Sequence, residues 1–186
     1  ISLIVSDFGQ ELRHVPRLQD PALGGGLLDL GIYNFAFSSM VLGSALRVNT
    51  VGSLTPSGVD ETTTSVLEYP SGARSIATVS IAGFTPTTAS ISGDTAQLRF
   101  ASHFFTPTTL TLHDNDFDSA VVATWSDETG IHGHAGLSYQ ATALASFVEQ
   151  GLQDSPLRPL ATVATDIDLI RSARHHVGAY LTGESR

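Results

Sequence analysis

The chain has 186 residues, of which 41% are hydrophobic and 15% charged, with a formal net charge of −9 at pH 7. That length and composition describe one domain with a real apolar core and exclude a disordered chain, and the acidic balance offers no basic patch to nucleic-acid phosphates. There is no cysteine and all nine basic residues are arginine, which excludes disulfides, thiol catalysis, thiolate metal sites and any lysine-dependent step from this chain.

The opening Ile1-Ser2-Leu3-Ile4-Val5-Ser6-Asp7 has no basic leader and no initiator methionine. Residues 1–9 therefore read as a strand near the start of a piece of something longer, not as a signal peptide. Gln10–Pro21 is a polar connection holding Arg13 and Arg17. Gly24-Gly25-Gly26 then opens an apolar segment that reads as a helix over residues 25–42, with Gly43 as its C-cap. Asp29, Asn34, Ser38 and Ser39 interrupt that segment, so it falls short of the roughly 20 apolar residues of a membrane span. From Ala45 to Trp125 the chain is rich in Thr, Ser and Val. Turn signals at Pro56-Ser57-Gly58, Pro70-Ser71-Gly72 and Gly93-Asp94 cut this stretch into short strands. In residues 73–81, Ala73, Ala77, Val79 and Ile81 share one face, and Arg74, Ile76, Thr78 and Ser80 the other. Two helices follow. One has Leu137, Ala141, Leu144 and Val148 at helical spacing before Gly151; the other has Leu160, Val163, Ile167, Ile170, Val177 and Leu181. The expected fold is α+β: a mixed, mostly antiparallel open-faced sheet with helices packed on one face. Its open Thr- and Ile-bearing face suits a second copy of the chain.

The chemistry concentrates at residues 24–33. Asp29 and Tyr33 are four apart and share a face on a helix. A carboxylate in so apolar a segment is either paired or lines a cleft. The glycines let backbone or a ligand approach the helix N-terminus, where free N–H groups favour negative partners. A glycine-rich turn leading into a core helix with hydrogen-bonded Asp and Tyr is the alternative.

The spelling GGGLLDLGIY resembles the start of the active-site helix of the glucose–fructose oxidoreductase / inositol dehydrogenase (Gfo/Idh/MocA) family. The likeness extends in order through GVDETTTSVLEYPSGARSIATVS (58–80), ASISGDTAQLRF (89–100) and SYQATALASFVEQGLQDSPLRPL (138–160). The resemblance implies that residues 1–186 form a C-terminal substrate-binding and oligomerisation domain, with an N-terminal Rossmann domain for NAD or NADP absent from this chain. It implies an oxidoreductase acting on a carbinol or carbonyl of a sugar, cyclic polyol or dihydrodiol, homodimeric through the open sheet face, and inactive as the fragment alone; the absence of cysteine fits a cytoplasmic protein. Tyr33 would give or take the proton and Asp29 would hydrogen-bond the substrate hydroxyls. Arg17, before Asp20-Pro21-Ala22-Leu23, would contact substrate or be a surface arginine. Gly25 and Gly26 would lie near the nicotinamide side. A phenol normally titrates near pH 10 and is helped by a nearby cation; in the family that cation is a lysine of the N-terminal domain. A non-catalytic dinucleotide-sensing regulator or scaffold of the same family is the alternative function.

Other candidates read as structural. Asp114-Asn115-Asp116-Phe117-Asp118 opens like a calcium loop but has Ser119 and Trp125 where Gly and Glu belong. His132 and His134 read as a flexible loop bordering the cleft, His103 as a satisfied sheet histidine, and His175 and His176 as groups facing a helix C-terminus. No metal site is expected.

Overall fold

The computed structural model describes residues 1–184 and builds eight strands: β1 (Leu3–Gly9), β2 (Arg47–Leu54), β3 (Asp60–Glu68), β4 (Arg74–Ser80), β5 (Ala89–Ser92), β6 (Ala96–Phe100), β7 (Thr109–Asp114) and β8 (Val121–Ser126). They form one sheet in the order β2-β3-β4-β1-β5-β6-β7-β8. Only β1 and β4 run parallel, from Leu3 opposite Arg74 to Gly9 opposite Ser80; the other neighbouring pairs are antiparallel. The turn signals become hairpin corners. Gly58 and Gly72 take φ values of 88° and 84°, a conformation that costs glycine nothing.

Helix α1 (Ile32–Leu42) continues a π-helical turn at Leu27–Gly31, so the predicted helix is present but begins two residues later than expected. Gly25 causes the delay, because its φ of 108° is not helical. At the other end Gly43, at φ 77°, donates its N–H to the Ser39 carbonyl at 2.9 Å and ends the helix as predicted. α1 and α3 (Leu160–His176) pack over β1, β2 and β4. The core between them holds the expected inner face of β4, Ala77, Val79 and the following Ile81, together with Leu27, Phe35 and Ile170.

Two expectations about the late helices need correction. The inward face of α3 carries Asp166, Ile170, Ala173 and Arg174, whereas Leu160 and Ile167 are exposed and Val177 and Leu181 fall beyond the helix. Apolar periodicity misses this face because two of its members are charges buried by pairing. Asp166 accepts hydrogen bonds from Ser39 of α1 and from Arg158, each at 2.7 Å. Helix α2 (Ser138–Glu149) has its apolar stripe but no buried residue: Leu144 and Val148 are 63% and 66% exposed. It does not help cover the sheet, and β8 is exposed along its length, Trp125 included. Among the described residues, no helix is long and apolar enough to cross a membrane.

Candidate active site

The connection from β1 to α1 builds the site. A short 3-10 turn at Pro16–Gln19 buries Leu18 and leaves Arg17 exposed. The Leu18 carbonyl accepts the Gly25 N–H at 3.1 Å, and the Asp20 carbonyl accepts that of Gly24 at 2.7 Å. The helix then starts with its wide π turn, a rare geometry frequent at functional sites, and Asp29 sits within it. Tyr33 follows in the first regular turn of α1.

The N-terminus of this helix is anchored from below by Asp60, a fully buried carboxylate. Its Oδ2 accepts the Leu27 N–H at 2.6 Å, and its Oδ1 lies 3.4 Å from Nε of the equally buried Arg174. Burial pushes the Asp60 carboxyl above the ordinary carboxylate range, against the opposing pull of the Leu27 N–H and the Arg174 charge. A Cβ on Gly25 would lie 2.2 Å from Asp60 Oδ1, and one on Gly26 3.3 Å from Val79. Gly25 and Gly26 are buried, and their lack of side chains admits Asp60 and the β4 residue Val79. With the neighbouring amides spent on Leu18, Asp20 and Asp60, the glycine run is no pyrophosphate cradle. Gly25→Ala is expected to lower stability by about 1–3 kcal/mol from backbone strain alone, with the steric clash added, as read from urea denaturation.

Arg17, Asp29 and Tyr33 line one cleft of about 730 Å³. Arg17 Nη2 meets Asp29 Oδ1 at 2.7 Å, which holds the carboxylate at the cleft wall. The Tyr33 ring packs against Phe105 (centroids 4.5 Å apart) and edge-on against Phe8 (5.5 Å). These contacts hold the ring while the residue stays 42% exposed, and among the described residues its hydroxyl makes no hydrogen bond. The cleft is also lined by the loop after β6, through His103 and Phe105, and by the approach to and first turn of α2, through His134 and Gln140.

Sequence reasoning therefore identified three groups that the fold brings together and missed Phe8 and Phe105. These two are ordinary apolar residues in sequence, on a strand and in a connecting loop, with no spacing to mark them. His103 is not a sheet histidine. It lies in the β6–β7 loop at the cleft, 5.9 Å from the Phe105 ring. The sheet histidine is His113 on β7, whose ring nitrogens lie 2.9 Å from Thr111 Oγ1 and 2.8 Å from the Ser119 carbonyl. His134 borders the cleft as its loop position suggested. Asp114 Oδ1 accepts the Ala120 N–H at 2.9 Å and so closes the β7–β8 turn. His175 stacks on Tyr180 and reaches Glu184 at 3.1 Å.

A family model described as the GFO/IDH/MocA C-terminal domain matches residues 1–99. Among curated relatives, the trans-1,2-dihydrobenzene-1,2-diol dehydrogenases of Bos taurus and Mus musculus are each 32% identical, over 96% and 97% of this chain. The matched region is 54% and 55% of those proteins, so the chain spans about half the length of the relatives it matches. Among solved structures, the aldose-aldose oxidoreductase of Caulobacter crescentus complexed with glycerol superposes with a TM-score of 0.69 at 19% identity, over 94% of this chain and 53% of that one. The 3-ketoreductase KijD10 of Actinomadura kijaniata, in complex with NADP and TDP-benzene, gives 0.71 at 16% identity, over 97% and 55%. At these identities the two structures speak for the fold alone.

Proposed function

The chain belongs to the Gfo/Idh/MocA oxidoreductase family, and from that membership we propose that it is the substrate-binding half of an NAD(P)-dependent oxidoreductase acting on the CH–OH group of a ring with adjacent hydroxyls: a sugar, cyclic polyol or dihydrodiol. The observation that carries the reading is the exposed Tyr33 hydroxyl, in one cleft with the Arg17–Asp29 pair. A nicotinamide cofactor, when bound by the partner domain, supplies hydride transfer at the carbinol carbon. In oxidation the Tyr33 oxygen takes the proton of the reacting hydroxyl, and in reduction it returns one to the carbonyl oxygen. Asp29 accepts a hydrogen bond from the neighbouring hydroxyl, and Arg17 keeps its carboxylate aimed. Phe8 and Phe105 offer the ring an apolar wall and exclude water from the side of the phenol.

A covering domain is supported by the exposed apolar ridge formed by Leu137, just before α2, and by Leu144 and Val148 of α2, which starts at the cleft. The open sheet face supports self-association, since Val5 and Val66 both stand opposite Ile76 and Val51 is 73% exposed. Sedimentation of the domain at high concentration tests this: a monomer there counts against a sheet-face dimer.

The main test is steady-state turnover by the full-length protein, followed as reduced nicotinamide, with NAD+ or NADP+ and a panel of cyclic diols, polyols and aldoses. The proposal expects cofactor-dependent oxidation of at least one of these classes. Asp29→Asn should raise the KM of that substrate while leaving the cofactor KM within about two-fold. A folded, cofactor-binding protein that oxidises none of them would overturn it.

A further inference from the structure

Asp60 is fully buried and does not line the cleft, and the proposed reaction does not use it. Four features nevertheless converge on it. Strict alternation along β3, with Thr62, Thr64 and Val66 on the open face, would turn Asp60 outward. The register shifts between Ser53 and Leu54, so that Ser53 pairs with Thr62 but Leu54 with Asp60. This bulge at Glu61 re-aims the next side chain into the core, as bulges do. Gly25 leaves the space that the carboxylate occupies. Leu27, whose N–H donates the 2.6 Å hydrogen bond to Asp60, is the first residue of the π turn that carries Asp29. Arg174 stands behind it at 3.4 Å, and among the described residues neither Arg174 Nε nor Asp60 Oδ1 completes a hydrogen bond.

We propose that Asp60, backed by Arg174, is the positioning residue of this active site: by capping Leu27 it holds the π turn that sets Asp29 against Tyr33. A buried ion pair adds little net stability compared with apolar side chains of the same volume, so stability alone does not explain this one. Its placement does. Asp29 sits in the π turn and Tyr33 in the regular helix after it, so relaxation of that one turn rotates the first against the second. The far end of α1 is pinned separately, by Ser39 to Asp166, so the rotation is confined to the end that bears Asp29. This inference rests on the reaction proposed for Asp29 and Tyr33.

The test uses the full-length oxidoreductase carrying this domain. Asp60→Ala removes the cap and leaves the buried Arg174 charge stranded with only Glu184, 3.8 Å away, and both Tm and kcat/KM fall. Asp60→Ala combined with Arg174→Met removes the stranded charge. Its Tm returns toward wild type, whereas kcat/KM for the ring substrate stays down roughly 10- to 100-fold, the cost of a small misplacement, with the cofactor KM unchanged. Asp60→Asn retains an acceptor for the Leu27 N–H and keeps kcat within a few-fold of wild type despite a lower Tm. The double variant carries the test even where the single alanine variant fails to fold. A double variant with wild-type kcat/KM overturns the proposal, as does activity that merely follows Tm across all three variants. Tyr33→Phe, assayed in parallel, separates the two claims. If that variant is fully active, the reaction reading itself falls; if it is inactive while the double variant is fully active, only the role of Asp60 does.

Discussion

Tyr33→Phe is expected to lower kcat of the proposed oxidoreductase by roughly 10²–10⁴-fold, the scale of a lost general acid–base group, with cofactor affinity nearly unchanged. The variant is clean because the ring's packing against Phe8 and Phe105 does not involve the hydroxyl, and the residue is 42% exposed. Thermal stability should therefore stay within about 0.5 kcal/mol of the parent, as for surface substitutions generally. Steady-state kinetics with a paired thermal scan checks both halves. Equal kcat in the two proteins removes Tyr33 from the reaction, whatever the fold.

Arg174→Met is expected to give the largest loss of stability, about 3–5 kcal/mol, because removing one partner of a buried pair leaves the other charge uncompensated. For a domain of this size that corresponds to a fall in Tm on the order of 10 °C. The loss should depend on pH in a definite direction. Burial already holds the Asp60 carboxyl above its ordinary value of 3.8, and taking away Arg174 removes a group that lowers it. A carboxyl with its folded-state pKa raised binds its proton more tightly folded than unfolded, so stability falls as pH rises through the window between the two values. The deficit of Arg174→Met is thus fully present above the raised pKa and shrinks on acidification toward the ordinary carboxylate range. Urea titrations across that window measure it. A deficit that grows in acid contradicts the assignment of Asp60 as the stranded charge.

Much of the domain could be read before any coordinates. The α+β class, the β3–β4 and β5–β6 hairpins, the end of α1 at Gly43 and the facing of β4 all follow from local rules. Alternation, glycine at positive φ and apolar spacing act between near neighbours in the chain. Asp29 and Tyr33 were marked for the same reason, as polar groups out of place at helical spacing in an apolar run. The rest depended on contacts between residues far apart in sequence. Phe105 meets Tyr33 from a loop more than seventy residues on, and Asp60 reaches Leu27 across thirty-three. A single bulge turns Asp60 inward, and pairing alone lets Asp60, Asp166 and Arg174 stay buried as charged groups. Periodicity treats every charged residue as solvent-facing, because burial of a charge is affordable only when a partner arrives from elsewhere in the fold. Local chemistry thus settled which elements form and which helix bears Asp29 and Tyr33. Tertiary packing decided how that helix is anchored, what walls its cleft, and that the apolar stripe of α2 lies open beside it.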